Sequence, residues 1–355
     1  MYSEEDINSA VAAGALSAEA ATAFRAHMTQ VRDMPRGDEE NFRLVTSFND
    51  IFVTIGVVIM LLAAGAIGEA VLPSDDGPSP LTGLFVAATS WGLAEFFTLK
   101  RLMALPSIIL LLAWVGGVFA ALLGTCVMLA DNGNQVLAGV LVAMSALVAA
   151  ASAFVHWRRF MVPITVAAGA VSVGGSLIAL IYAIIAGANE ATANQAILPM
   201  VFVVGIAIFA FAMRWDASDR ARTTRRSDVA FWLHLAAAPM IAHPIFHWLG
   251  VTDGGEIGVG AAAGVLLVYV VMGIVALAID RRALLVSALA YVLIALTFLF
   301  DRFGAVELNF ALTALVIGSA LLTLSAFWTP IRKSVVEMLP ANLQAKLPEA
   351  VALPA

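Results

Sequence analysis

From residue 50 onward the chain is a succession of apolar stretches, each long enough to cross a bilayer and each ended by a short polar loop. A membrane-crossing helix needs about 20 mostly apolar residues. Ten segments meet that requirement: 50–72, 81–99, 105–129, 135–155, 161–186, 196–213, 229–250, 257–278, 282–300 and 306–328. Their apolar character is continuous rather than alternating, which excludes transmembrane strands of about 10 residues. A helix satisfies its own backbone polar groups where no water is present. The chain is therefore predicted to be an all-α membrane protein, a bundle of about ten transmembrane helices. Composition agrees: 61% of the 355 residues are apolar and only 12% are charged, against about 25% charged in ordinary soluble domains. That balance excludes a soluble enzyme and a disordered chain. A net charge of −6 and the lack of a dense Lys/Arg run leave no phosphate track, so no nucleic-acid partner is expected.

The basic residues provide an independent test, because short cytoplasmic loops are enriched in Lys and Arg. Arg25, Arg32, Arg36 and Arg43 precede the first span. Lys100 and Arg101 follow the second, Arg158 and Arg159 the fourth, and Arg281 and Arg282 the eighth. Five arginines follow the sixth span, and Arg332, Lys333 and Lys346 occupy the tail. Ten spans place 18 of the 19 basic residues on one side, Arg302 being the exception. Both termini are thus expected in the cytoplasm. The opposite loops carry Glu69, Asp75, Asp76, Asp131, Glu190, Asp253, Glu256, Asp301 and Glu307. These are either solvated loop acids or a means of concentrating cations at a mouth.

Three regions follow. Residues 1–47 read as a cytoplasmic helical hairpin, with a capping box at Ser3, Gly14 ending the first helix, Ser17 capping a second, and Pro35-Arg36-Gly37 as a break. It serves either as a lid on the bundle or as a docking module. Its polar character predicts no cleavable signal peptide. Residues 48–329 form the bundle. Residues 330–355, cut by Pro330, Pro340 and Pro348, form a tail lying along the cytoplasmic interface. The loop Arg214–Asp228 sets topology, and its arginines pair with its own acids or with anionic lipid headgroups.

All but one of the 44 Asp, Glu, Lys and Arg residues can be assigned to loops or span ends; the remaining one is Glu95, in the second span. A carboxyl inside the bilayer marks a candidate proton or cation site, or else a neutral hydrogen-bonding group reaching the interface. The seventh span, DVAFWLHLAAAPMIAHPIFHWLG, holds His234, His243 and His247 together with Pro239 and Pro244. Prolines remove backbone donors, and the freed carbonyls can line a pathway. His243 and His247 share a helical face at a spacing that suits two metal or haem ligands, or simple hydrogen bonds near the headgroups. Glu95 and His234 lie at matched depth, so they form a proton-sharing pair if their helices are neighbours. Gly116, Gly117 and Gly124 mark a close helix approach. A single cysteine, Cys126, excludes an internal disulfide and any multi-cysteine metal centre. No span carries a lysine for a Schiff base, and no catalytic fingerprint is present. No cofactor is expected.

The segments ALSAEAATAFRAHM and DEENFRLVTSFNDIFVTIGVVIMLLAAGAI, with DVAFWLHLAAAPMIAHP further on, resemble bacterial polytopic inner-membrane proteins of unknown function that carry a short cytoplasmic helical segment ahead of a bundle. The resemblance covers roughly residues 10–70; it implies a bacterial inner-membrane location and no mechanism. Ten spans also divide as five plus five, the plan of inverted-repeat transporters. Three functions are compatible: a secondary transporter or permease for a small solute or ion, a membrane scaffold or assembly factor acting through its cytoplasmic ends, and a membrane metal or haem protein or enzyme. The lipid bilayer is the one partner that all three require.

Overall fold

A computed structural model describes residues 4–24, 48–74, 77–129, 134–220, 222, 224–252, 258–302 and 308–348. Ser3, the Pro35-Arg36-Gly37 break, the arginines at 25, 32, 36 and 43, and the acids at 75, 76, 131, 253, 256 and 307 lie outside those residues. The described residues are helical, with no strand among them. α1 (Glu4–Ala12) ends at Gly14, whose φ of 69° only glycine adopts freely. α2 (residues 18–24) starts where the Ser17 hydroxyl accepts the amide of Ala20 at 3.1 Å. These two helices belong to a small unit, Met1–Phe42 with Ala350–Ala355, distinct from a large unit, Arg43–Glu349.

The large unit contains α3 (Phe48–Val71), α4 (Pro80–Phe97), α5 (Ala104–Leu129), α6 (Gln135–Phe160), α7 (Ile164–Ala186), α8 (Glu190–Ser218), α9 (Arg225–Trp248), α10 (Val259–Ile279), α11 (Ala283–Arg302), α12 (Asn309–Ala326), α13 (Trp328–Glu337) and α14 (Ala341–Gln344). Each of the ten predicted segments coincides with one of α3–α12. Among the described residues, seven helices are long and apolar enough to cross a membrane, or eight if the bent pair of α12 and α13 counts as one span. α4, of 18 residues, carries polar interruptions such as Thr82, Ser90 and Glu95 that dilute its apolarity, whereas the apolar stretch of α11, Leu284–Phe300, falls just short in length. Large apolar side chains stand exposed on the helices, Phe52, Leu62, Ile184, Val203, Leu267 and Leu315 among them. A monomer in water does not present such a belt. The chain is a multi-pass helical membrane protein.

Two kinds of packing hold the bundle. α4 and α5 meet backbone to backbone: a Cβ at Gly117 would lie 2.8 Å from the Ala87 nitrogen, and one at Gly124 would strike the Pro78 carbonyl. Gly116, by contrast, faces open space. α9 instead buries side chains. Half of its span is buried, against 17% for α8, and Ala230, Leu233, Ala237, Ala238, Ala242 and Phe246 are fully enclosed. It packs against α7, α8 and α11. Pro239 and Pro244 both lie inside it, and the helix runs through both without a break. The principal contacts of the two halves differ. α3 packs on α5 in the first half, whereas in the second α9 packs on α11, so the halves do not repeat one another's packing.

Residues 330–349 of the tail belong to the large unit. α13 turns 76° away from α12 and packs on α10. Its Trp328 and Arg332 are buried, as is Leu347 beyond α14. The boundary at 330 therefore falls within a packed segment.

Candidate functional site

Apolar periodicity leads to two members of the buried site. On α8, Ile208 and Ala212 are buried at a spacing of four, and one more turn brings Asp216 onto the same face, with no exposure. On α9 the enclosed positions Ala230 and Ala238 bracket His234, equally unexposed. The third member comes from the tight turn between α10 and α11. Asp280 adopts left-handed geometry there, φ 58° and ψ 46°, which reverses the chain and sends Arg281 inward, 2% exposed.

The three side chains form one hydrogen-bonded cluster. His234 Nε2 lies 2.9 Å from Asp216 Oδ2. Arg281 Nη2 donates to Asp216 Oδ1 at 2.6 Å, and its Nε lies 3.4 Å from Oδ2. Nη2 also reaches the Ser227 carbonyl at 3.0 Å and the Ser227 hydroxyl at 3.2 Å. Phe209 meets the His234 ring edge-on at 5.0 Å, which completes an apolar wall. With Asp216 ionised, His234 must carry its hydrogen on Nε2. His234 Nδ1 is buried with no hydrogen-bond partner among the described residues. A second proton on this ring therefore goes to Nδ1.

A second cluster sits one residue away in sequence. Arg222 Nη1 donates to Asp280 Oδ2 at 2.7 Å, while its Nη2 reaches the carbonyls of Ile279 at 3.1 Å and Asp280 at 3.2 Å. A cation thereby satisfies the C-terminal carbonyls of α10. Burial first, and the like charge of Arg281 second, hold the Arg222 guanidinium below its usual range. The Trp328 indole donates to Asp280 Oδ1 at 2.6 Å, and Arg332 Nε lies 3.6 Å from the same oxygen. Arg332 and Arg220 then hold the tail, donating to the carbonyls of Pro348 at 2.7 Å and Leu347 at 2.8 Å. Within the Arg214–Asp228 loop, Asp216 binds Arg281, and Asp219 accepts the Thr224 amide and hydroxyl at 2.9 and 2.7 Å.

The remaining sequence-derived residues fall elsewhere. Glu95 and His234 have different partners. Glu95 forms a bidentate pair with Arg159 of α6 at 2.9 and 2.7 Å, on side chains 35% and 50% exposed. Its helix packs on α3 and α5, so matched depth does not translate into contact. His243 Nδ1 lies 2.6 Å from the Tyr291 hydroxyl, and His247 Nδ1 lies 2.6 Å from the Thr252 hydroxyl. Tyr291 stacks on Phe246 at 4.3 Å. Pro239 is exposed and Pro244 buried. Glu69 closes the α3–α4 turn, accepting the Ser74 amide at 3.1 Å and the Thr82 hydroxyl at 2.9 Å. No group of three or more His, Cys, Asp or Glu among the described residues is arranged to hold a metal ion.

Asp216 and Arg281 are the functional candidates that sequence reasoning missed. Each was assigned to a loop because of its charge. The signal that finds Asp216 is the register of α8, in which positions 208, 212 and 216 share a face. His156 was also passed over. It is fully buried beside Phe160, ring centres 4.5 Å apart, with Nδ1 3.4 Å from the Thr165 hydroxyl. No family model, curated protein or solved structure matches the chain.

Proposed function

We propose that the chain is a secondary transporter or permease for a small solute or ion, and that its proton-titratable site is Asp216, His234 and Arg281 rather than Glu95. One observation carries the reading: a carboxylate, an imidazole and a guanidinium share hydrogen bonds with essentially no solvent exposure. Ion pairs buried this deeply add little net stability compared with apolar packing, and ionisable groups within a membrane bundle mark proton and substrate routes. The chemistry suits coupling. Adding a proton at His234 Nδ1 places two cations on one carboxylate, which weakens the hold of Asp216 on Arg281. Release of the α10–α11 turn from α8 and α9 then becomes proton-dependent, the kind of two-state element that coupling requires.

The topology belongs to the same proposal: ten crossings in a bacterial inner membrane, with both termini cytoplasmic. The distribution of 18 of 19 basic residues onto alternate loops supports it. The experiment is solute-driven proton uptake in proteoliposomes containing trapped pyranine, challenged with a panel of amino acids, sugars and monovalent cations. A solute that drives uptake in the wild type but not in Asp216→Asn supports the reading. Uptake that is identical in both proteins contradicts it.

A second reading, a membrane scaffold, is favoured by a different observation. Arg220, Arg332 and Trp328 fix the tail onto the large unit, leaving its outer surface a rigid face for a partner. Cytoplasmic pull-down with and without residues 341–348 tests it.

A further inference from the structure

Between α11 and α12 runs an open groove of about 200 Å³. Leu285 and Leu289 form one wall, Leu321 and Leu324 the other, and Arg282 and Trp328 close one end. The groove exists because the chain turns 76° after α12, which carries α13 away and leaves the last turn of α12 without a covering helix. Its closed end is built by the turn that supplies the buried cluster. The left-handed residue Asp280 directs Arg281 inward, and the next residue, Arg282, lies outside. The Arg282 guanidinium stacks over the Trp328 ring at 4.8 Å. Asp280 fixes that ring through its indole N–H. Arg282 has no acidic partner among the described residues.

We infer that this groove is a binding site for an anionic phospholipid, with the headgroup phosphate on Arg282 and one acyl chain between α11 and α12. Three features select this occupant. The walls are aliphatic and lie on a membrane-facing surface, where an acyl chain is the available filler. Tryptophan and arginine together mark the headgroup level. A stacked guanidinium keeps its edge N–H groups free, and these match phosphate oxygens in geometry and charge. The uncompensated positive charge sets the preference for an anionic over a zwitterionic headgroup. The inference relies on the proposed orientation only for the leaflet from which the lipid comes.

The test is native mass spectrometry of the detergent-purified full chain, titrated with phosphatidylglycerol, with phosphatidylcholine of the same acyl chains, and with glycerol 3-phosphate. Wild-type protein is expected to retain phosphatidylglycerol over phosphatidylcholine. Arg282→Gln should lower that preference about fivefold. Lys333→Gln, at an exposed cation on the same helix as Trp328, should leave it unchanged. Leu321→Trp, which fills the groove, should reduce retention of both lipids. Equal losses in Arg282→Gln and Lys333→Gln would show general surface attraction and overturn the site. So would full retention in Leu321→Trp, or glycerol 3-phosphate binding as tightly as the lipid. The assay needs no transported solute, so its failure is separate from failure of the transport reading.

Discussion

Glu95 and Asp216 each hold an arginine through two side-chain nitrogens, yet their surroundings differ. Glu95 and Arg159 bridge α4 and α6 with a third to a half of each side chain exposed. Asp216 bridges α8 to the α10–α11 turn with no exposure, and it holds a histidine as well. Exposure leaves the hydrogen bonds of the first pair open to competition and its charges to screening. No such competition reaches the second, so each group depends on the others to offset its lost hydration. A carboxylate and an arginine thus give an exposed tie at one place and a buried, mutually dependent cluster at the other. The surrounding packing differs in the same sense. The α4–α5 seam on the Glu95 helix is held by close backbone approach at Gly117 and Gly124, and the region around Asp216 by enclosed side chains of α9.

The largest effect expected from breaking this contrast is at Asp216. Asp216→Ala strands a buried guanidinium and should cost about 3–5 kcal/mol of stability, measured by thermal or denaturant unfolding in detergent. The double variant Asp216→Ala with Arg281→Met, which removes both charges, should recover much of that loss. Next in size is Trp328→Phe, which deletes the hydrogen bond to the Asp280 carboxylate while keeping the ring. A loss of about 1.5–3 kcal/mol is expected for a bond to a charged group, together with faster proteolysis after residue 328 as the tail loosens. Gly117→Val sharpens the other side of the comparison. It forces α4 from α5 at a cost of about 1–3 kcal/mol, visible as a lower unfolding midpoint with no change in the environment of His234 by NMR. Glu95→Gln should give the smallest effect, with an unfolding midpoint indistinguishable from wild type at physiological salt.

Much of the fold was legible because the bilayer imposes a length. Continuous apolar runs of about 20 residues mark α3–α12, and Ser17 and Gly14 act as the cap and stop that their chemistry suggests. Among the described residues apolar length alone supports seven or eight crossings, because α4 mixes polar residues into its span and the apolar stretch of α11, Leu284–Phe300, is short. The site was less legible. Charge served as the criterion for a loop, and it assigned Asp216 and Arg281 to the loops together with residues that stay in water. For Asp216 the helical register held the missing information. For Arg281 no local signal exists, since Arg281 and Arg282 are chemically identical neighbours that only the left-handed turn at Asp280 sends to opposite sides. The pairing of Glu95 with His234 rested on depth alone, and depth does not specify which helices are adjacent. The histidine spacing on α9 was real, but His243 and His247 are each held by a hydroxyl from another part of the chain.

The measurement that tests the central claim most directly compares proton uptake, driven by the same solute gradient, in proteoliposomes of wild type, Asp216→Asn, His234→Gln and Glu95→Gln, with folding verified by size-exclusion chromatography. The account predicts that uptake disappears in the Asp216 and His234 variants and persists in Glu95→Gln. Persistence in the first two, or loss in Glu95→Gln alone, would contradict it.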